Sequence, residues 1–393
     1  PITFSKRMFT RAPRISSSSS SALLSRALSS TRPAPKRVQR QLHPSEEPAA
    51  GAPGAGPGGG GGGGGNEARE RLFRFVAQPR AVEIIGAPMT AGQPLLGTDV
   101  GPELIRKHGL RSRLASLGWR VSDRGDLAFP APAADDASID PAHGNAKNSV
   151  AVGRGNKILS DAVADALGGG RFPLVVGGDH SVAFGSLAGV LRHNPETRVL
   201  WVDAHADINT PTISPSGNMH GMPLGKFLGL PGFETGRVPG FEWMDEDGVP
   251  GLDPSRLVYV GLRDVDDGEV RALRSLAGVT CFTMSHVDRH GIGPLMEMAL
   301  EALGGDDHAA PIHMSFDIDS VDPLEAPSTG TVVRGGLSYR EAHYVCERVA
   351  ETGRLASMDM VEVNPNLSHG EDADATADLA LALTESAMGN RIM

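Results

Sequence analysis

The chain has 393 residues, 40% of them apolar, which is enough for one large α/β domain or two smaller ones with a substantial core. Its formal charge is −10. Because residues 1–45 hold nine Lys/Arg and no acid, the remainder stands at −19, which argues against nucleic acid as the main partner and favours small cationic guests. Two cysteines, Cys281 and Cys346, leave no room for a disulfide framework or a cysteine zinc site, and no run approaches the ~18–20 apolar residues of a membrane span.

In chain order, residues 8–40 are rich in arginine and serine and free of acids, the composition of an organelle transit peptide with the mitochondrion as favoured destination; a tail with no address, leaving the protein in the cytoplasm, is the alternative. Residues 58–65 are all glycine and read as a linker. The expected division is therefore an N-terminal extension over 1–67, with little order, and a single folded domain over 68–393. From residue 81 onward, short β-branched runs alternate with amphipathic ones, the pattern of a mostly parallel sheet with helices on both faces. It predicts strands over 81–85, 173–176, 198–202, 256–260, 279–284, 311–316 and 356–361. Ser338-Tyr339-Arg340-Glu341 reads as a capping box, Ala342, Val345, Cys346 and Val349 recur at helical spacing, and Gly353 ends that helix.

In open α/β sheets the ligand site lies beyond the carboxyl ends of the strands. Three of these ends carry Gly177-Gly178-Asp179-His180, Asp203-Ala204-His205-Ala206-Asp207 and Asp317-Ile318-Asp319. If the segments stay extended, Asp203, His205 and Asp207 point one way together, as do Asp317 and Asp319. With His180 they make six candidate ligands. Four carboxylates in one cleft repel by several kcal/mol unless protonated or bridged by cations. A pair of divalent ions resolves that conflict, and four carboxylates with two imidazoles suit Mn²⁺ better than zinc or calcium. Each pattern by itself has a bland reading: Asp-x-Asp occurs in phosphate and sugar enzymes, a lone histidine is usually a satisfied polar residue, and Gly-Gly marks a tight turn. Their joint occurrence at successive strand ends is what points to metal.

GGDHS at 177–181, DAHAD at 203–207 and SFDIDSVDP at 315–323 resemble the signatures of the arginase branch of the ureohydrolase family, and the resemblance runs from about Glu83 to the C-terminus. It implies a three-layer α/β/α fold around an eight-stranded parallel sheet, a homotrimer, and two Mn²⁺ held by His180, Asp203, His205, Asp207, Asp317 and Asp319. The implied reaction converts L-arginine and water to L-ornithine and urea by attack of a metal-bridging hydroxide on the guanidinium carbon. By the same resemblance Asn209 and Ser216 hold the substrate α-carboxylate and Asp266 its α-amino group. Asn218, Asp264 and Thr331 line the same site, and His205 also reaches the substrate. Glu362 pairs with the guanidinium, Asp207 orients the nucleophile and protonates the departing nitrogen, and His220 relays protons. Asp267 and Ser320 stand where the family pattern expects proline and glycine. Two other readings stay open: a ureohydrolase of the agmatinase type, and a catalytically silent relative acting as a regulatory protein. A metal deacetylase of similar fold would not need both Asp-His signatures.

Overall fold

Seven strands form where the sequence places apolar, β-branched runs. In the computed structural model, which describes residues 73–78, 80–133, 144–305, 310–368 and 370–391, an eighth joins them at the sheet edge. The strands are β1 (Ala81–Ala87), β2 (Arg120–Asp126), β3 (Phe172–Gly177), β4 (Arg198–Val202), β5 (Leu257–Leu262), β6 (Thr280–Thr283), β7 (Ile312–Asp317) and β8 (Leu355–Val361). Every pairing is parallel, in the order β2-β1-β3-β8-β7-β4-β5-β6. The unforeseen strand is β2, whose sequence RVSDRGD is polar and largely exposed. An edge strand pairs on one side only and needs no apolar run to hold it.

Side chains alternate across the sheet and feed two separate cores. On β4, Val199 and Trp201 face one core, while Leu200 and Val202 face the other. The first is shared with α3 (Ser149–Gly168) and α4 (Ala183–His193), through Leu159, Val163, Phe184 and Leu187. The second takes apolar residues from α1 (Gly101–Lys107), α2 (Leu110–Ser116), α6 (Ile292–Ala302), α7 (Tyr339–Glu351) and α8 (Glu371–Ala387). Here α5 denotes Asp267–Ser275, at the carboxyl end of the sheet. This is the expected three-layer α/β/α fold, apolar on both faces because both are covered.

The α7 helix begins as its sequence predicts: Ser338 N–H donates to Glu341 Oε2 at 2.9 Å and Glu341 N–H to Ser338 Oγ at 3.4 Å. Ala342, Val345, Cys346 and Val349 are fully buried, and Gly353 follows with φ +63°. The expected extension over residues 1–67 lies outside the described residues. No helix among the described residues is long and apolar enough to cross a membrane.

From β3 the chain crosses to β4, which lies beyond β8 and β7. Loops leaving β3 and β4 therefore diverge, and the crevice between them opens over the carboxyl ends of the central strands.

Candidate metal centre and substrate cavity

Asp317 closes β7 and the other candidate ligands follow strand ends, yet the extended geometry expected of these segments does not hold. The chain leaves the ladder after Val202, and Asp207 adopts φ +48°, a left-handed conformation. Asp317 closes β7, but Asp319 lies in the single 3-10 turn Ile318–Ser320. Tight turns, held by local hydrogen bonds, bring the side chains together instead of strand alternation. Asp203 Oδ1 accepts from His205 N at 2.7 Å and Asp317 Oδ1 from Asp319 N at 2.8 Å. Ser320, the departure from glycine, donates its hydroxyl to Asp317 O at 2.7 Å and tightens that turn.

His180 Nδ1 lies 3.1 Å from Asp203 Oδ2, 3.0 Å from Asp207 Oδ2 and 3.1 Å from Asp317 Oδ2. It makes no hydrogen bond to any of them. His205 Nδ1 stands 3.0 Å from Asp319 Oδ2 and 3.4 Å from Asp203 Oδ1. The donors fall into two metal-capable groups, His180-Asp203-Asp317 and Asp203-His205-Asp319, which share Asp203. A buried nitrogen ringed by oxygens, with none in hydrogen-bonding alignment, is the arrangement of a donor set that could coordinate a cation. The donor chemistry fits hard or borderline divalent metals.

The electrostatics carry the same message. Burial, then Asp319 and Asp203, push Asp317 well above the usual carboxylate range, and burial with Asp203 raises Asp319 to about 6. Burial and Asp203 also raise Asp207. Burial alone would lower the His180 pKa, but Asp203, Asp207 and Asp317 outweigh it and hold the imidazole well above its normal range. Without cations the cluster must recruit protons to offset its charge.

Outer contacts fix the candidate ligands. His180 Nε2 bonds Ser315 Oγ at 2.9 Å, its ring stacks on Trp201 with centroids 4.2 Å apart, and Trp201 Nε1 donates to Asp203 Oδ2 at 2.9 Å. The Arg263 guanidinium donates to Asp319 O, Ser320 O and Val333 O, clamping the turn after β7.

A cavity of about 190 Å³ adjoins the cluster, lined by His205, Asp207, Asn209, Ser214, Ser216, Asn218, His220, Gly221, Asp264, Asp266, Glu269, Asp317, Asp319 and Thr331. Thus Asn209, Ser216, Asn218, Asp264, Asp266 and Thr331 all line one cavity. Asn209 Nδ2 donates to Asp266 Oδ2 at 2.8 Å, while Asp266 Oδ1 caps α5 by accepting from Gly268 N and Glu269 N. Asp264 is largely exposed, 4.0 Å from His205 Nε2. Glu362 stands apart from this lining. It is buried, left-handed at φ +68°, and its Oε1 accepts from His180 N at 2.8 Å, while Oε2 accepts from Gln93 Nε2 at 2.6 Å. His220 Nδ1 is 3.4 Å from Glu362 Oε1, with the imidazole partly open to the cavity.

The sequence reading missed several participants. Glu269 is buried beside the cavity, accepts from Ile208 N and Asp266 N, and is raised to about 8 by burial and by Asp207 and Asp266. Its signal was present, since Asp266-x-x-Glu269 is a capping box at the start of α5. Ser214, Gln93, Trp201 and Arg263 gave no such signal, because only folding brings them near; Ser315 opens the SFDIDSVDP stretch, but only folding sets it against His180.

Fold and cluster together define a three-layer α/β/α protein with two adjoining carboxylate–imidazole groups that could each hold a metal ion. The arginase family model matches residues 80–389. The chain is 42% identical to an arginase of Glaciozyma antarctica over 81% of its own length and 90% of the relative's. It is 43% identical to the mitochondrial arginase-2 of Rattus norvegicus, over 79% and 85% respectively. The crystal structure of Entamoeba histolytica arginase in complex with L-ornithine superposes with a TM-score of 0.68 at 30% identity, covering 79% of this chain and 99% of that one. The chain belongs to the arginase family and is a hydrolase.

Proposed function

We propose that the protein hydrolyses L-arginine to L-ornithine and urea at a pair of Mn²⁺ ions. The observation that carries this reading is the pair of candidate ligand sets sharing Asp203 beside an acidic cavity. His180, Asp203, Asp207 and Asp317 would hold one ion, and Asp203, His205 and Asp319 the other. When bound, the cations supply Lewis-acid activation of the attacking water at neutral pH.

The chain's own groups do the rest. Asp266 and Asn209, already joined by a hydrogen bond, present a carboxylate and an amide to the α-amino and α-carboxylate ends of the substrate, with Ser216, Asn218, Asp264 and Thr331 around them. A site built for such groups rejects a guanidine lacking them, because its buried partners would be left unpaired. Burial would raise Glu362, but His220 and the His180 N–H outweigh it and hold the carboxylate below its usual range. An ionised Glu362 has about four acceptor positions, so hydrogen bonds to His180 N, Gln93 and His220 leave one for a guanidinium N–H. Asp207, in its left-handed turn, faces the cavity where it can orient the water and return a proton to the departing nitrogen. His220, between Glu362 and the open cavity, relays protons to solvent.

Urea release from L-arginine, with and without added Mn²⁺ and against agmatine, tests the reading. Manganese-dependent release from L-arginine in clear preference to agmatine is expected; equal or greater release from agmatine would overturn the substrate assignment. Delivery to mitochondria is proposed from the basic, serine-rich stretch over 8–40 and the likeness to a mitochondrial relative, and is checked by imaging a fluorescent fusion. Trimeric assembly, proposed from the family resemblance, is checked by light scattering.

A further inference from the structure

Parallel strands covered on both faces are normally apolar throughout. β7 and β8 break that rule on one face only. His313 and Ser315 on β7 stand directly opposite Ser357 and Asp359 on β8, in register, and all four are buried. This polar row ends at Asp317, one of the candidate ligands, and is roofed by Ser186 of α4.

The row is connected. His180 Nε2 meets Ser315 Oγ at 2.9 Å, and Ser315 Oγ donates to Asp359 Oδ2 at 3.5 Å. Ser186 Oγ donates to the same oxygen at 2.5 Å. His313 Nε2 lies 3.3 Å from it, and His313 Nδ1 meets Ser357 Oγ at 2.9 Å. Asp359 Oδ1 and His313 Nε2 have no hydrogen-bond partner among the described residues. Burying such atoms costs stability, so an apolar pair here would serve the fold better.

A carboxylate only accepts hydrogen bonds, so Asp359 fixes the direction of the chain that leads to it. Ser315 must turn its proton towards Asp359, which leaves its oxygen lone pair facing His180. With a cation among Asp203, Asp207 and Asp317, His180 would then carry its one proton on Nε2 and turn the Nδ1 lone pair towards them. We infer that Asp359 is a positioning residue for the metal centre, acting through Ser315 to lock the His180 tautomer that presents Nδ1 as a ligand. The inference rests on the metal reading above and goes beyond it by naming a residue that touches neither ligand nor substrate.

The prediction is selective. Asp359→Asn keeps the shape but offers an N–H to Ser315, which can then donate to His180 Nε2 and force the ring proton onto Nδ1. Outer-shell partners of metal-ligating histidines typically contribute ~10–100-fold in metal affinity.

Equilibrium dialysis of the full chain against Mn²⁺ alone, with the melting temperature of the metal-free protein in parallel, tests this. Wild type should take up two ions. Asp359→Asn should lose ~10–100-fold in affinity for one ion and little for the other. Ser315→Ala removes the link while keeping the buried acid itself and should show the same one-site loss, and adding Asp359→Asn to it should cost nothing more. Unchanged Mn²⁺ affinity in either single variant, additive losses in the double variant, or equal loss at both sites with a lowered melting temperature would overturn the inference. A wild-type chain that binds no Mn²⁺ would instead overturn the metal reading on which it rests.

Discussion

Oδ2 of Asp207 lies 3.0 Å from Nδ1 of His180, although β4 and β3, which lead to them, are separated in the sheet by β7 and β8. The contact spans the divergence of loops at the centre of the sheet, and it exists because Asp207 turns back at φ +48° instead of continuing outward. Left-handed backbone at a non-glycine residue is disfavoured, by of order 1–3 kcal/mol in the more strained cases. At Asp207 and Glu362 the surrounding structure holds it where the chemistry is proposed to occur.

Removing either carboxylate at the end of β7 should uncouple the two proposed metal sites. Asp319→Ala is expected to weaken the ion shared with His205, and Asp317→Ala the ion shared with His180, each by more than the ~10–100-fold that an outer partner contributes. Activity at limiting Mn²⁺ should fall with metal content. Full turnover with unchanged metal, by atomic emission, would contradict the assignment.

His220 should behave differently. His220→Asn is expected to retain both ions and lose ~10²–10⁴-fold in kcat, the usual contribution of a positioned proton-transfer group. If its metal content drops as far as that of the Asp317 variant, the separation of roles is wrong.

The same histidine carries a pH signature in the metal-free protein. Burial disfavours its charged form, but the Glu362 carboxylate outweighs burial and raises it to about 9. An unfolded histidine titrates near ~6.5. The pairing therefore contributes its full stability below that pH and loses it as pH rises through about 9. The stability difference between wild type and His220→Asn should shrink by up to about 3 kcal/mol across this window in denaturant titrations. A constant difference would remove the His220–Glu362 pairing from the account.

Asn209 and Asp266 share a hydrogen bond but only Asp266 caps a helix. Asn209→Ala should raise KM for L-arginine with little change in melting temperature. Asp266→Ala should raise KM and also destabilise by about 1 kcal/mol through the lost cap. Equal stability losses in the two variants would show that the cap is not what distinguishes them.

Gly178 tests the scaffold beneath the ligands. Its N–H donates to Ala87 O at 2.7 Å, its carbonyl accepts from Glu362 N at 2.9 Å, and a Cβ there would meet Met89 O at 1.9 Å. Because the obstacle is backbone, Gly178→Ala should cost about 1–3 kcal/mol and displace His180 and Glu362 together. Native stability and Mn²⁺ affinity in that variant would refute the close-packing argument.

The sequence by itself determined the fold class and the pool of candidate ligands. Both depend on local pattern: strand-length apolar runs dictate a covered parallel sheet, and acidic and histidine residues immediately after them fall at the carboxyl edge whatever the details. It did not reveal β2, because an exposed edge strand needs no apolar signature, nor that turns replace extended backbone at Asp207 and Asp319. The roles of Gln93, Trp201 and Asp359 were also hidden. Each acts on a residue distant in the chain, and only the crossing of β3, β4, β7 and β8 sets those distances. Tertiary structure alone decided which polar atoms were left buried and unpaired, since that depends on the burial and alignment of every neighbour at once.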